Sequence, residues 1–80
     1  MKFILISPTK TKELDVDWLE VQTEFSNFVI KEGHAPIVLI LASNKELSIG
    51  LKDGSKTVMT ISGGILEVNR SSATLLLKQE

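Results

Sequence analysis

The chain has 80 residues with 9 basic and 10 acidic side chains, a formal charge of −1, and is 42% hydrophobic and 24% charged. These figures describe one small globular domain, expected to expose about 4,800 Å² when folded. The absence of cysteine excludes a disulfide framework, a thiolate metal site and a cysteine nucleophile; the single histidine excludes a two-histidine metal site, and the balanced charge lacks the basic surplus of a nucleic-acid binder.

The chain opens on an apolar stretch, Phe3-Ile4-Leu5-Ile6, ended by Pro8-Thr9. That stretch is shorter than the ~7–15 residues of a signal-peptide core. The longest apolar run, Ile37–Ala42, is six residues, far below the ~20 that cross a bilayer as a helix. A soluble protein that stays where it is made is the expectation.

Next comes a segment with a period of two, in which Leu14, Val16 and Trp18 alternate with Glu13, Asp15 and Asp17. Such alternation marks a strand with one face on a core and one in water. Trp18 is expected on the core side. Leu19 and Val21 break the phase, as a β-bulge or a strand covered on both faces would. Phe28–Ile30 and Ile37–Leu41 follow as β-rich runs around the turn Gly33-His34-Ala35-Pro36. Leu47, Ile49 and Leu51 alternate again with Glu46, Ser48, Gly50 and Lys52. Asp53-Gly54 is a strong hairpin signal. Thr57–Ile61, Ile65–Val68 and Thr74–Leu77 complete the series, with breakers at Ser62-Gly63-Gly64 and Asn69-Arg70-Ser71-Ser72. No amphipathic helical stripe intervenes, so the chain reads as all-β, a small β-sandwich or flattened barrel in a single domain over residues 1–80.

The residues offer little chemistry. His34 would need a nucleophile or carboxylate brought to it by the fold, and a locally bonded loop histidine is the simpler reading. Gly63-Gly64 lacks the Lys-Ser/Thr and helix of a phosphate loop and reads as a bulge or a close approach of strands. Glu13, Asp15, Asp17, Glu20 and Glu24 form an acidic stretch, a solvated strand face or a contact for a basic partner.

Two motifs carry a resemblance. Gly33-His34-Ala35-Pro36 before an apolar strand, and Ile61-Ser62-Gly63-Gly64-Ile65-Leu66-Glu67-Val68 further on, are similar in order and spacing to segments of the epsilon subunit of F-type ATP synthases, called delta in mitochondria. Lys2–Pro8 looks like that family's first strand and Ala73–Leu77 like its last. The resemblance implies a sandwich of about ten short strands in two sheets. It also implies a non-catalytic rotor subunit of the central stalk, which binds the gamma subunit and the ring of c subunits and couples proton flow to ATP synthesis. Cofactors, metals, nucleic acid and small-molecule substrates have no part in that role. The membrane association would be peripheral, through the complex, at the cytoplasmic face of a bacterial inner membrane.

Under the resemblance, His34 matches a loop histidine near gamma and the c ring, while Asn27, Phe28 and Lys31 occupy the segment that faces the ring. The chain departs from the family where Phe25-Ser26-Asn27-Phe28-Val29-Ile30-Lys31-Glu32 replaces a glycine-rich acidic stretch. It also ends at Lys78-Gln79-Glu80, directly after the last expected strand, without the two inhibitory helices common in bacterial members. Two other functions compete with the rotor reading. A free-standing sandwich would capture a protein on its acidic strand face, and a hydrolase would pair His34 with a nearby serine.

Overall fold

Three of the strands are too long to stay in one sheet, and this decides the architecture. The computed structural model describes residues 1–78. Gln79 and Glu80, with the chain end expected there, lie outside them. The strands are β1 (Lys2–Ile6), β2 (Thr11–Gln22), β3 (Asn27–Lys31), β4 (Ile37–Leu51), β5 (Lys56–Val68) and β6 (Ser72–Leu77). Among the described residues there are thus six strands rather than about ten. At 12, 15 and 13 residues, β2, β4 and β5 each continue through a corner, and in β4 and β5 the runs expected as separate strands are joined.

Each corner has a local cause. In β2 the pairing with β4 shifts register between Val16 and Trp18. That is the bulge anticipated from the phase break, because an extra residue moves the inward set from Val16 to Leu19 and Val21. In β4 the register shifts between Ser43 and Lys45, and Asn44 between them has a φ of 60°. Asparagine tolerates this left-handed geometry better than most residues. In β5, Gly63 has a φ of 94°, so Ser62-Gly63-Gly64 bends a strand and does not break one.

The order β1-β6-β5-β4-β2-β3, with β1 also paired to β2, closes the sheet into a flattened barrel. One face of it comprises β3, the second half of β2, the second half of β4 and the first half of β5. The other comprises the first half of β2, then β1, β6, the second half of β5 and the first half of β4. Strands that switch sheets at bulges are a known way to make sandwich corners. β1 and β6 are parallel neighbours, which draws the two ends of the described chain together. The folded surface is 4929 Å².

The core lies between the layers and includes Val16, Leu47 and Ile49 of the alternating segments, whereas Leu14, expected on the same side, is 38% exposed. Phe3, Val16, Leu19, Ile30, Leu66 and Leu75 are fully buried at its centre. Trp18 is not among them. It is half-buried on the outer side of its sheet, where its indole covers Gly50 so closely that a β-carbon there would collide with the ring. The bulge at the preceding residue turned it outward. Because the indole covers Gly50, that outer position is buried too, and so is Ser48 at 7% exposed.

Candidate functional site

The residues expected to contact partners lie on one strand and the loop after it, but the structure does not bring them together. Asn27 and Lys31 are the first and last residues of β3, so about 14 Å of extended chain separates them. Asn27 and Lys31 are exposed, whereas Phe28 is half-buried and packs against the core. Period-two alternation in β3 produces that split.

Asn27 belongs to a rigid hairpin tip. The Asn27 side-chain amide donates to Glu20 Oε2 at 3.1 Å. Thr23 Oγ1 accepts the backbone N–H of Phe25 at 3.2 Å and of Ser26 at 3.1 Å, while Thr23 N–H donates to Ser26 O at 2.9 Å. Such threonine-capped turns fix the chain locally. The result is that Phe25 is held in water with 92% of its surface exposed. Sequence reasoning passed over Phe25, although an aromatic residue between Glu24 and Ser26 in a turn was a signal for it.

His34 sits at the opposite end of β3, half-buried. Gly33, with a φ of 88°, donates its N–H to Arg70 O at 2.6 Å, and His34 N–H donates to Lys31 O at 3.1 Å. The loop is thereby tied to the β5–β6 turn. The His34 ring bonds through Nδ1 to Ala35 O at 2.7 Å; a carbonyl can only accept, so Nδ1 carries the proton. This is the locally bonded loop histidine anticipated from sequence. No hydroxyl among the described residues is hydrogen-bonded to its ring, and no cluster of three potential metal ligands occurs among them.

Three of the five acidic residues of the stretch have a cationic neighbour within the chain. Lys2 Nζ meets Glu13 at 3.2 Å and Lys52 Nζ meets Asp17 at 3.4 Å. The Met1 ammonium lies 3.4 Å from Asp15 and 3.2 Å from Glu32, and donates to Val16 O at 2.9 Å. Asp15, and with it Asp17, holds the Lys52 ammonium above its usual range. Glu20 accepts from the neutral Asn27 amide, and Glu24 has no ion pair among the described residues.

A different surface stands out. On the outer side of the sheet formed by β4, β5, β6 and β1, Ile40 is paired with Ile65, Ile65 with Leu76, and Leu76 with Ile6. Ile40 is 74% exposed, Leu76 50% and Ile65 43%, and Val38 beside them is 62% exposed. Cross-strand neighbours on one face lie within side-chain contact, so the row forms a continuous apolar strip. Its sequence signal is the unbroken run Ile37–Ala42. A strand with one wet face alternates, and an unbroken run means that both faces are apolar.

The chain was compared with known proteins. It matches the family described as "ATP synthase, Delta/Epsilon chain, beta-sandwich domain" over residues 1–79. No curated protein sequence matches it. Among solved structures, a chain of the Euglena gracilis mitochondrial ATP synthase (OSCP/F1/c-ring) is similar at a TM-score of 0.86 and 23% identity, with 94% of this chain and 48% of that one covered. A chain of the Tetrahymena thermophila mitochondrial ATP synthase central stalk and c ring is similar at a TM-score of 0.82 and 18% identity, with 99% of this chain and 63% of that one covered. The chain therefore spans about half to two-thirds of the length of these relatives, and at such identities the likeness is one of fold. The match along nearly its whole length, on an all-β sandwich with one corner at the motif glycine Gly63, shows that this chain belongs to the ATP synthase delta/epsilon β-sandwich family.

Proposed function

We propose that the chain is a non-catalytic central-stalk subunit of a proton-translocating F-type ATP synthase. It binds the gamma subunit and meets the c ring, so that proton flow through the ring turns the stalk. It is held peripherally at the membrane through the complex, at the cytoplasmic face of a bacterial inner membrane. The observation that carries this reading is the apolar row Ile40–Ile65–Leu76 on the outer face of one sheet in a member of this family. An exposed, contiguous apolar strip is the mark of a protein-binding surface.

In this reading two surfaces share the labour. The apolar sheet face takes gamma. The rigid tip bearing Phe25 and Asn27 and the tied loop of Lys31 and His34 are the ends available to the ring, with Phe28 supporting the strand from within. A close-packed sandwich transmits torque because its interior does not deform easily. Binding to gamma would also add directly to the stability of so small a domain.

Co-purification with the gamma subunit from the same genome, followed by calorimetry, tests the proposal. A stoichiometric complex of sub-micromolar affinity is expected, lost in an Ile65→Lys/Leu76→Lys double variant that keeps its fold. No binding of the unaltered chain to folded gamma would refute it.

A further inference from the structure

A second feature of β4 adjoins the apolar face, with which it shares Val38 and Ile40. The first half of β4 has a strand neighbour on one side only: β5 pairs with Ile37–Leu41 and Ser43, while β2 joins β4 only from Ser48 to Leu51. β3, the nearest strand across the gap, is paired with β2 alone. A groove runs along this free edge, in two hollows that share Thr23, Glu24, Ser26, Ala42 and Ser43. The larger hollow is about 660 Å³, with Phe25 and Phe28 on its wall.

Natural sheets guard such edges with charge, proline or a short strand. Residues 37–42, Ile-Val-Leu-Ile-Leu-Ala, contain no charge and no proline. An uncharged six-residue β-forming run on an open edge is an aggregation hazard unless something covers it. What covers it must match a row of outward backbone N–H and C=O groups, and another extended backbone does so.

We propose that this edge, from Val38 to Ser43, takes up one extended segment of a partner protein as an added strand in the groove beside the β2–β3 hairpin. The hairpin forms the opposite wall, leaving room for a single chain, whereas a second sandwich would bring its own hairpin into the same space. Charge narrows the segment's chemistry. Glu24 lines both hollows, Lys45 the smaller and Lys78 the larger, and neither Glu24 nor Lys45 has an ion pair among the described residues. The segment is apolar at alternate positions and carries one acidic and one basic residue toward those groups. The site goes beyond the rotor reading, since it uses the backbone edge of β4, although Val38 and Ile40 of the outer face also line its larger hollow.

The test uses the whole chain and a terminally blocked eight-residue peptide with valine at alternate positions and lysine, threonine and glutamate between them. Amide chemical-shift changes confined to residues 23–28 and 38–45 are expected. Amides along 38–43 should exchange at least ~10-fold more slowly with peptide bound. Lys45→Glu should weaken binding several-fold, and a peptide with its glutamate replaced by lysine should recover it. Shifts centred on Ile65 and Leu76, or none at millimolar peptide, would overturn the proposal. So would dimerisation of the free chain with the 38–43 amides protected, because the occupant would then be a second copy.

Discussion

The contact of Trp18 with Gly50 supplies the sharpest test of the packing. A β-carbon at position 50 would fall within the indole, so Gly50→Ala must displace the ring from its sheet. If about 100 Å² of apolar ring surface returns to water, the loss at ~25 cal/mol/Å² is about 2.5 kcal/mol. Against this, replacing glycine by alanine stiffens the unfolded chain and returns about 0.4–1 kcal/mol. The net cost is about 1.5–2 kcal/mol, a fall in Tm of roughly 6–16 °C for a domain of this size. With Trp18 already replaced by alanine, only the second effect remains, and Gly50→Ala should raise Tm by a few degrees. Thermal unfolding followed by circular dichroism in both backgrounds measures the sign change. Trp18 is the sole tryptophan, so a red-shifted emission in the Gly50→Ala protein would report the expelled ring directly. An equal cost of Gly50→Ala with and without Trp18 would refute the reasoning.

Other outcomes follow from the same geometry. A β-carbon on Gly64 would lie 2.7 Å from Leu76 O and 3.2 Å from Leu75 Cδ1; because the first contact is backbone, Gly64→Ala should cost about 1–3 kcal/mol, read as a lower urea midpoint at unchanged m-value. The hydroxyl and N–H of Ser55 hold the Asp53 carboxyl below its usual range. Its stabilisation of the β4–β5 turn is therefore present above the ordinary carboxylate pKa and disappears as pH falls through the depressed one. Asp53→Asn should accordingly lower Tm at neutral pH and become indistinguishable from the unaltered chain in strong acid. Thr23→Val removes the acceptor of two backbone N–H groups at the hairpin tip. It should cost about 0.5–1.5 kcal/mol and speed amide exchange at Phe25 and Ser26.

The sequence by itself determined the all-β class, four of the five turns between strands, and the inward residues Val16, Leu47 and Ile49. Those rest on local physics: alternation around Val16 and at Leu47–Ile49 sets which side faces inward, and Asp53-Gly54 supplies a turn that few other pairs could make. The phase break after Val16 likewise announced a bulge. The motifs at Gly33–Pro36 and Ile61–Val68 pointed to the family.

Tertiary structure decided the rest, because it depends on which strands become neighbours. The glycines of β5 read as a break in one dimension and Asn44 of β4 gave no sign, yet at both places the partner strand carries the pairing around the corner. Trp18 has the sequence phase of a core residue, and only the bulge turns it outward onto Gly50. The acidic stretch looked like an open binding face until Lys2, Lys52 and the Met1 ammonium came to lie against it. Ile40, Ile65, Leu76 and Ile6 are scattered along the chain and become one strip only through the register of four strands. Local preference fixes the conformation of a segment, whereas a binding surface is made by pairings between residues far apart in sequence.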